Sequence, residues 1–334
     1  MSMPKNLGSI GLSIVVVSFA FALPARSASN KGKWGSNDQL GTLNYITPQV
    51  RTNAARLVRS GKVFNVAINL KYGTPAFTRR NYQHSFSRIR SGLASGGSRG
   101  ISVSDDFIIM HQHYSTHWDG FPHVGFDGKL YNDVPDSVVM TQGTRKHSIH
   151  LWADKIVTRG VLLDVAKYKG KEPLEKGYII TSEDLQGAAR MQSVEIKSGD
   201  CLLIRTGWIT KLKEQTWPMR RDEIIEFGEP GVGYDAAQWL HKKEISCLAV
   251  DNLAVEPIPF DPVAIERLLP HGRKSSPLHV EFLVNMGMPL GEIFNFEALA
   301  KECAEDGQYD FMFVAPPLRI VGGVGSPLSP VAIK

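Results

Sequence analysis

The sequence predicts an α/β protein of the mixed α+β class with a central mixed sheet. Strand-like apolar runs recur between helix candidates along residues 160–325, and strands interleaved with helices pack as a sheet covered by helices. The 334 residues are 43% hydrophobic and 21% charged, which is the composition of a globular chain with a large buried core. No change of composition marks a linker, so we expect a single domain over residues 28–334.

The strand candidates are apolar runs of the length that strands have. They are VFNVAINL after the first helix candidate, then GVLLDVA at 160–166, CLLIRTGW at 201–208, SCLAVDN at 246–252, FMFVAPP at 311–317 and RIVGGVG at 319–325. The helix candidates begin or end at capping residues. They are the run after Thr47 and Pro48, SEDLQGAARMQ with Ser182 as its cap, YDAAQWLHKKE after Gly233, PVAIERLLPHG after Asp261, and FEALAKECAEDG ending at Gly307.

Residues 1–27 have the three parts of a secretory signal peptide. Lys5 gives a positive start, the apolar core runs from Gly11 to Leu23, and Ala25-Arg26-Ser27 offers small residues at the minus-three and minus-one positions. The alternative is a membrane anchor, but an apolar run of about 13 residues is shorter than the roughly 20 that span a bilayer. We therefore expect cleavage and a periplasmic or secreted protein that no longer contacts the membrane.

Charge and cysteine content exclude several classes of protein. The formal net charge of +5 falls to +3 without the leader, which holds two basic residues and no acidic ones, so no nucleic-acid partner is predicted. Cys201, Cys247 and Cys303 are widely spaced and form no CxxC pair, so neither a disulfide framework nor a zinc knuckle follows. Cys201 and Cys247 lie in strand candidates and are predicted to be core residues.

Residues 71–106 have little periodicity and many Ser, Gly and Arg residues. They are predicted to form a long loop, and loops of this length in a compact domain are usually functional covers or mobile segments. The loop ends at the strand-like run FIIM, which leads into a histidine-rich stretch. A lid over that stretch is our hypothesis for the loop.

The histidine-rich stretch, residues 111–123, reads HQHYSTHWDGFPH. Imidazole nitrogens and carboxylate oxygens bind zinc and manganese-like ions when three or more converge on one point. On a straight strand His113 and His117 would lie about 13 Å apart, too far for one ion. A helical turn brings residues i and i+4 to about 6 Å, so we expect a helical turn that opens into a loop, with Asp119 on the side of His117.

Other residues near these candidates have more than one interpretation. Trp118 and Phe121 alternate with the candidate ligands, so they are expected either to stack on a planar substrate or to pack outside the site. His111 is interpreted as a core or surface histidine. The alternative is that it hydrogen-bonds to a metal ligand without binding the metal itself. Arg205 and Trp208 in the LLIRTGW run are expected to be structural.

The HxxxHxDxxxH arrangement of His113, His117, Asp119 and His123 resembles the metal-dependent cyclase family, which includes bacterial kynurenine formamidases and isatin hydrolases. The resemblance continues in HVGFDGKLYN, LLIRTGW, LAVDNLAVEP, LHVEFLVNMGMPLGEIFNF and the closing FVAPPLRIVGGVGSPLSPVAI, and it covers roughly Asn37 to Ile333. The signal peptide and the long loop resemble the longer branch of the family.

The resemblance implies a divalent metal centre with one or two ions of zinc or manganese. Its implied ligands are His113, His117, Asp119, His279 and Glu292, with His123 beside the metal as an acid and base. It also implies a swivelling β/β/α domain that assembles as a homodimer or homotetramer and acts on a small-molecule substrate.

The expected function is a metal-dependent hydrolase that cleaves an amide, lactam or ester bond of a small cyclic or aromatic substrate with metal-activated water. His123 would pass a proton to the leaving atom, or would be a further ligand if two ions bind. Structural zinc sites usually contain cysteine, whereas this set contains none, which favours catalysis. Two other functions remain open: an exported metal- or solute-binding protein without turnover, and a metal-dependent cyclase or dehydratase.

Overall fold

The structure is a computed structural model, which describes Met1 and residues 28–77, 80–88, 104–269 and 276–334. The predicted signal peptide lies outside the described residues apart from Met1. Residues 78–79 and 89–103 of the predicted long loop also lie outside them, so its role as a lid stays a prediction.

The strands of the described residues include short pairs and a large central sheet. In chain order they are β1 (Val63–Asn65), β2 (Tyr82–Arg88), β3 (Asp105–Met110), β4 (His117–Asp119), β5 (Val139–Met140), β6 (Gly143–Thr144), β7 (Val157–Asp164), β8 (Ile179–Ile180), β9 (Cys201–Arg205), β10 (Gly231–Val232), β11 (Cys247–Val250), β12 (Leu290–Glu292), β13 (Asp310–Val314), β14 (Gly325–Pro327) and β15 (Val331–Ile333).

Within the described ranges, nine strands form one mixed sheet in the order β1-β15-β13-β7-β9-β11-β12-β4-β14. The middle strands β7, β9, β11 and β12 run parallel, and the flanking pairs are antiparallel. Parallel strands are covered on both faces and are therefore apolar along their length, which is why β9 and β11 are buried at every position. The predicted mixed α+β class with a central mixed sheet is confirmed.

The helices of the described residues are short. They are α1 (Pro48–Ala55), α2 (Val165–Lys169), α3 (Ser182–Met191), α4 (Trp208–Glu214), α5 (Arg221–Phe227), α6 (Tyr234–Lys242), α7 (Pro262–Leu268), α8 (Pro277–His279), which continues as a π-helix over Val280–Met286, and α9 (Glu297–Asp306). Single turns of 3₁₀-helix lie at Gly41–Tyr45, Phe121–His123, Tyr131–Asp133, Asp136–Val138 and Ile149–Trp152. No helix in these ranges has both the length and the apolar character needed to cross a bilayer.

Helix ends follow the capping residues of the sequence. The side chains of Thr47 and Asp261 accept backbone hydrogen bonds at the starts of α1 and α7, and Gly307 ends α9 in the left-handed conformation that favours glycine. The cap predicted for α3 is wrong by one residue. Thr181 forms the capping box, and Ser182 is the first residue of the helix.

Two further expectations about elements are wrong. The predicted loop at 71–106 contains β2, which pairs antiparallel with β3 as a separate two-stranded sheet. RIVGGVG is not a strand, because Gly322 adopts φ +80° in a turn that the Gly323 N–H closes on the Ile320 carbonyl. Only its last residue, Gly325, enters a strand.

The cysteines, Trp208 and Arg205, which were predicted to be structural, all have structural contacts. The three cysteines are buried and free, and Trp208 packs against Phe227 with ring centroids 5.3 Å apart. Arg205, at the end of β9, reaches Asp164 at 3.0 Å, Glu172 at 2.7 Å and Glu297 at 2.9 Å. Its guanidinium therefore ties two parallel strands to the first turn of α9.

Replacing Arg205 by alanine should lower the free energy of unfolding by about 3 kcal/mol, because it leaves the buried Asp164 carboxylate without its cation. Urea denaturation of the two proteins measures the difference. Arg220→Ala is the matched control, since Arg220 makes ion pairs at a side chain that is 70% exposed and should change stability by less than about 1 kcal/mol. Equal effects of the two substitutions would show that the Arg205 contacts contribute no more than surface pairs.

Candidate metal centre

His117, Asp119 and Glu292 are brought together by the pairing of β4 with β12. His117 and Asp119 are two residues apart on β4 and therefore point to the same face. Glu292 lies directly opposite His117 in the antiparallel register, so their side chains share that face, with His117 Nε2 3.2 Å from Glu292 Oε2. All three side chains are buried, because β4 lies between β12 and β14 inside the sheet.

His113 joins these residues through a turn that differs from the predicted one. The expected helical turn between His113 and His117 is wrong: residues 112–116 form an irregular turn in which Ser115 has φ +64°, and the chain then enters β4. The turn places His113 Nε2 3.4 Å from Asp119 Oδ1. Gly325 of β14 leaves room for the ring, since a Cβ at this position would overlap His113 Nε2.

His279 enters the cluster from the other side, at the end of α8. Its Nε2 lies 3.2 Å from Glu292 Oε1 and 3.6 Å from Asp119 Oδ2. Its Nδ1 lies 2.6 Å from Glu256 Oε1, and the other oxygen of Glu256 accepts from the Leu278 N–H. A carboxylate that holds one ring nitrogen fixes the orientation of the ring and turns the other nitrogen toward the metal position.

His123 lies at the rim of the cluster. It ends the 3₁₀ turn that follows Gly120, and its Nε2 is 3.8 Å from Asp119 Oδ1. Its side chain is 26% exposed, whereas those of His117 and Asp119 are fully buried. Burial lowers the pKa of His123 from its ordinary value, although Asp119 opposes the shift, so the ring is neutral near pH 7 and can accept a proton.

The donor atoms of the cluster fit a metal cation. Several of them are buried and have no hydrogen-bond partner among the residues that the structure describes: His113 Nε2, His117 Nε2, both Asp119 carboxylate oxygens and Glu292 Oε2. Buried polar atoms are costly unless something satisfies them. Two overlapping groups, His113–Asp119–His123 and His117–Asp119–Glu292, each have donor atoms within 4.8 Å of one another, which suits ligands at about 2.0–2.2 Å from an ion.

The charges in the cluster also favour a cation. Burial would raise the pKa of Asp119, but His123, His117 and His279 hold it well below its usual value. Burial would lower the pKa of His117, but the close Asp119 and Glu292 carboxylates, 3.3 and 3.2 Å from its Nε2, raise it to about 9. Burial lowers the pKa of His113 to about 2, which keeps its Nε2 unprotonated. The pKa of Glu292 is also lowered by His117 and His279, against the effect of its burial. The Asp119 and Glu292 carboxylates are therefore negative and need positive charge beside them, from protons or from a metal ion.

Trp118 and Phe121 do not reach the cluster, contrary to one of the two expectations for them. Trp118 follows His117 on the strand and therefore points to the opposite face, where its Nε1 donates to the Ala315 carbonyl at 2.8 Å. Phe121 packs against Trp152 with ring centroids 4.8 Å apart. Both side chains are fully buried and pack in the hydrophobic core.

His111 also lies outside the cluster. Its Nδ1 accepts a hydrogen bond from the Asn81 N–H at 3.0 Å, and the histidine is exposed. The interpretation of His111 as a residue without a role in the cluster agrees with this position.

Two residues of the centre were missed from the sequence. Glu256 orients His279, and its signal was a second acidic residue, after Asp251, in the mostly apolar segment LAVDNLAVEP. Arg80 donates to the His113 carbonyl at 2.9 Å and lies 3.8 Å from Glu292 Oε2. No signal separated Arg80 from the other arginines of the segment predicted to be a loop.

Comparison with known proteins places these features in a family. A family model described as "Putative cyclase" matches residues 41–257. A crystal structure described as a novel cyclase is 36% identical, with 92% of this chain and 98% of that chain covered and a TM-score of 0.81. No curated protein matches the sequence.

Isatin hydrolases share the fold at low identity. Isatin hydrolase A from Ralstonia solanacearum is 18% identical, with 85% of this chain and 95% of that chain covered and a TM-score of 0.55. An isatin hydrolase bound to the product analogue thioisatinate is 17% identical, with 86% and 99% covered and a TM-score of 0.54. The family model spans more than half of the chain, and the crystal structure of the novel cyclase is similar along most of it, so this chain belongs to the cyclase family.

Proposed function

We propose that the protein is a metal-dependent hydrolase that cleaves an amide, lactam or ester bond of a small cyclic or aromatic molecule. The observation that carries the proposal is the buried cluster around Asp119, in which several donor atoms lack hydrogen-bond partners among the described residues, together with a neutral and partly exposed histidine at its rim. A site that only bound a cation would need no proton carrier beside it. The isatin hydrolases that share the fold support a cyclic amide as the first substrate class to test.

The residues that would hold the metal are His113, His117, Asp119, His279 and Glu292. When bound, a divalent ion lowers the pKa of water toward 7 and polarises a carbonyl oxygen, which is the chemistry that hydrolysis of these bonds requires. Asp119 belongs to both donor groups, which supports room for one or two ions. Nitrogen and carboxylate donors without cysteine suit zinc or manganese.

His123 is proposed as the proton carrier. The neutral ring can take a proton at Nε2 and return it to the leaving nitrogen or oxygen of the substrate. Asp119 Oδ1, 3.8 Å from this nitrogen, stabilises the imidazolium that forms between the two transfers. His113 packs beside the ring with centroids 4.0 Å apart and limits its rotation.

Glu256 and Arg80 are proposed as positioning residues. Glu256 orients the His279 ring through Nδ1, and Arg80 holds the turn of His113 through its backbone carbonyl. Neither side chain supplies a donor atom to the groups that could hold a metal among the described residues.

Asp119→Asn should reduce metal affinity by more than about 100-fold, because it removes the negative charge that both donor groups share. Substitution of a residue that only hydrogen-bonds to a ligand already lowers metal affinity by about 10- to 100-fold. Metal content of the purified protein and titration calorimetry with Zn²⁺ and Mn²⁺ measure the effect. His111→Ala is the matched control and should bind metal like the wild type. An Asp119→Asn protein that kept full affinity would contradict a metal centre at this cluster.

Glu256→Gln should weaken metal binding by about 10- to 100-fold while the fold is retained, because the ring of His279 loses its charged partner. The same calorimetric titration tests this expectation, with circular dichroism as the check on folding. Unchanged affinity would mean that His279 needs no orientation from Glu256 or does not bind the metal.

His123→Ala should lower kcat by about 10²- to 10⁴-fold, the range of general acid–base catalysis, with metal content unchanged. Isatin, N-formylkynurenine and an aryl lactone are the substrates, and a chelator should abolish turnover by the wild type. Loss of metal from the variant would make His123 a ligand instead of a proton carrier.

The same substrates separate the other functions. Turnover of none of them, with metal and a small ligand still bound, would favour an exported binding protein over a hydrolase. Turnover in ¹⁸O-labelled water without label in the product would favour a cyclase or dehydratase. Incorporation of one labelled oxygen is the result expected of hydrolysis.

A further inference from the structure

Glu281 is a buried carboxylate that has no cationic side chain beside it among the residues that the structure describes. It lies on the π-helix and is fully buried. Its oxygens accept from Gln238 Nε2 at 2.6 Å and from Asn285 Nδ2 at 2.7 Å, and both of these donors are neutral. In the described ranges no Lys, Arg or His side chain forms an ion pair with it, although an isolated buried charge costs several kcal/mol.

The third donor to Glu281 is a backbone nitrogen. The Ala28 N–H donates to Glu281 Oε1 at 3.0 Å. Ala28 is 9% exposed, and it is the residue that follows the predicted cleavage site after Ser27. The atom that would become the amino terminus of the processed chain is therefore already in contact with the Glu281 carboxylate.

The residues after Ala28 are held along the same helix. The Asn30 N–H donates to the Asn285 carbonyl at 3.0 Å, and Asn30 Nδ2 donates to the Met286 carbonyl at 2.9 Å. His241 on α6 contacts Asn30 Oδ1 at 3.1 Å. The first residues of a chain are usually poorly ordered unless contacts hold them in place. Here the hydrogen bonds that hold the chain begin at Ala28.

We propose that the chain is cleaved between Ser27 and Ala28 and that the new α-ammonium group of Ala28 forms a buried ion pair with Glu281. Hydrolysis of the Ser27–Ala28 peptide bond, with water as the second reactant, gives a carboxylate on Ser27 and an amine on Ala28 that takes up a proton. The neutral N–H contact becomes a charge-assisted one, which is shorter and roughly twice as strong. Glu281 thereby gains the cation that the other donors do not supply.

The position of the cut is specific in this arrangement. Removal of two further residues, which would make Asn30 the first residue, would delete the contact with Glu281. Retention of leader residues would keep the nitrogen neutral and would leave Glu281 without an ion-pair partner among the described residues. The folded domain is thus built to recognise one amino terminus.

The first test is the amino terminus of the full-length chain after export from a bacterial host. Sequencing and intact mass of the exported protein should give Ala28 as the first residue. A mature chain that begins at another residue, or one that keeps the leader, would overturn the proposal.

The second test measures the coupling between the terminus and Glu281. One protein begins at Ala28 with a free amine, and a second retains Arg26 and Ser27 before it. Each is prepared with Glu281 and with Glu281→Gln. The free terminus should raise Tm by roughly 5 °C when Glu281 is present, and the difference should vanish in the Glu281→Gln pair.

Glu266→Gln is the matched control, because Glu266 is an exposed acid on α7. In this background the difference of roughly 5 °C between the two termini should remain. An equal Tm difference between the two termini in the Glu281 and Glu281→Gln proteins would contradict the ion pair. So would the absence of any Tm difference when Glu281 is present.

A chemical readout keeps the test decisive if Glu281→Gln does not fold. An α-amine ordinarily reacts faster with acetylating reagents at pH 7 than a lysine does, because its pKa is about 7.7–8.0 against about 10.4. In the folded wild type the Ala28 amine should react several-fold more slowly than Lys301, whose side chain is 80% exposed. Mass spectrometry of the labelled peptides measures the two rates. Faster labelling of Ala28 than of Lys301 would show an amino terminus free of the ion pair and would overturn the proposal.

Discussion

The antiparallel pairing of β4 with β12 is the constraint on which the rest of the centre depends. It sets His117 opposite Glu292, and the two-residue period of a strand then puts Asp119 on the same face. A slip of β4 by one residue in this register would turn His117 and Asp119 to the face opposite Glu292. The parallel strands β9 and β11 support β12 from the other side, so the buried sheet supplies the rigidity that a metal centre needs.

The centre contains several negative side chains that are buried from solvent. Asp119, Glu256 and Glu292 are all fully or almost fully buried, and their attraction for positive charge shows in the raised pKa values of His117 and His279. Such an arrangement is stable only when cations balance it. The fold and the proposed cofactor are therefore coupled, because the Asp119 and Glu292 carboxylates, which disfavour an empty cluster, would also bind the ion.

Local signals in the sequence predicted local structure well. Thr47, Asp261 and Gly307 mark helix ends through contacts within a few residues, and apolar runs such as that of β9 need no tertiary information. The strand β2 was missed because YQHSFSR has little apolar alternation and pairs only with β3. The geometry of His113 was missed because it depends on the left-handed Ser115, and serine is not a residue type that predicts that conformation. The sequence could not choose between the two expectations for Trp118, since whether this side chain faces the cluster depends on β4 being a strand.

Gly325 links two distant parts of the chain in a way that concerns how the sequence can change over time. The ring of His113 occupies the space where a side chain at position 325 would lie. A lineage that keeps His113 must keep glycine at this position of β14, whatever the rest of that strand becomes. A lineage that lost His113 would be released from the requirement, so larger residues at position 325 would mark descendants in which this half of the centre has decayed.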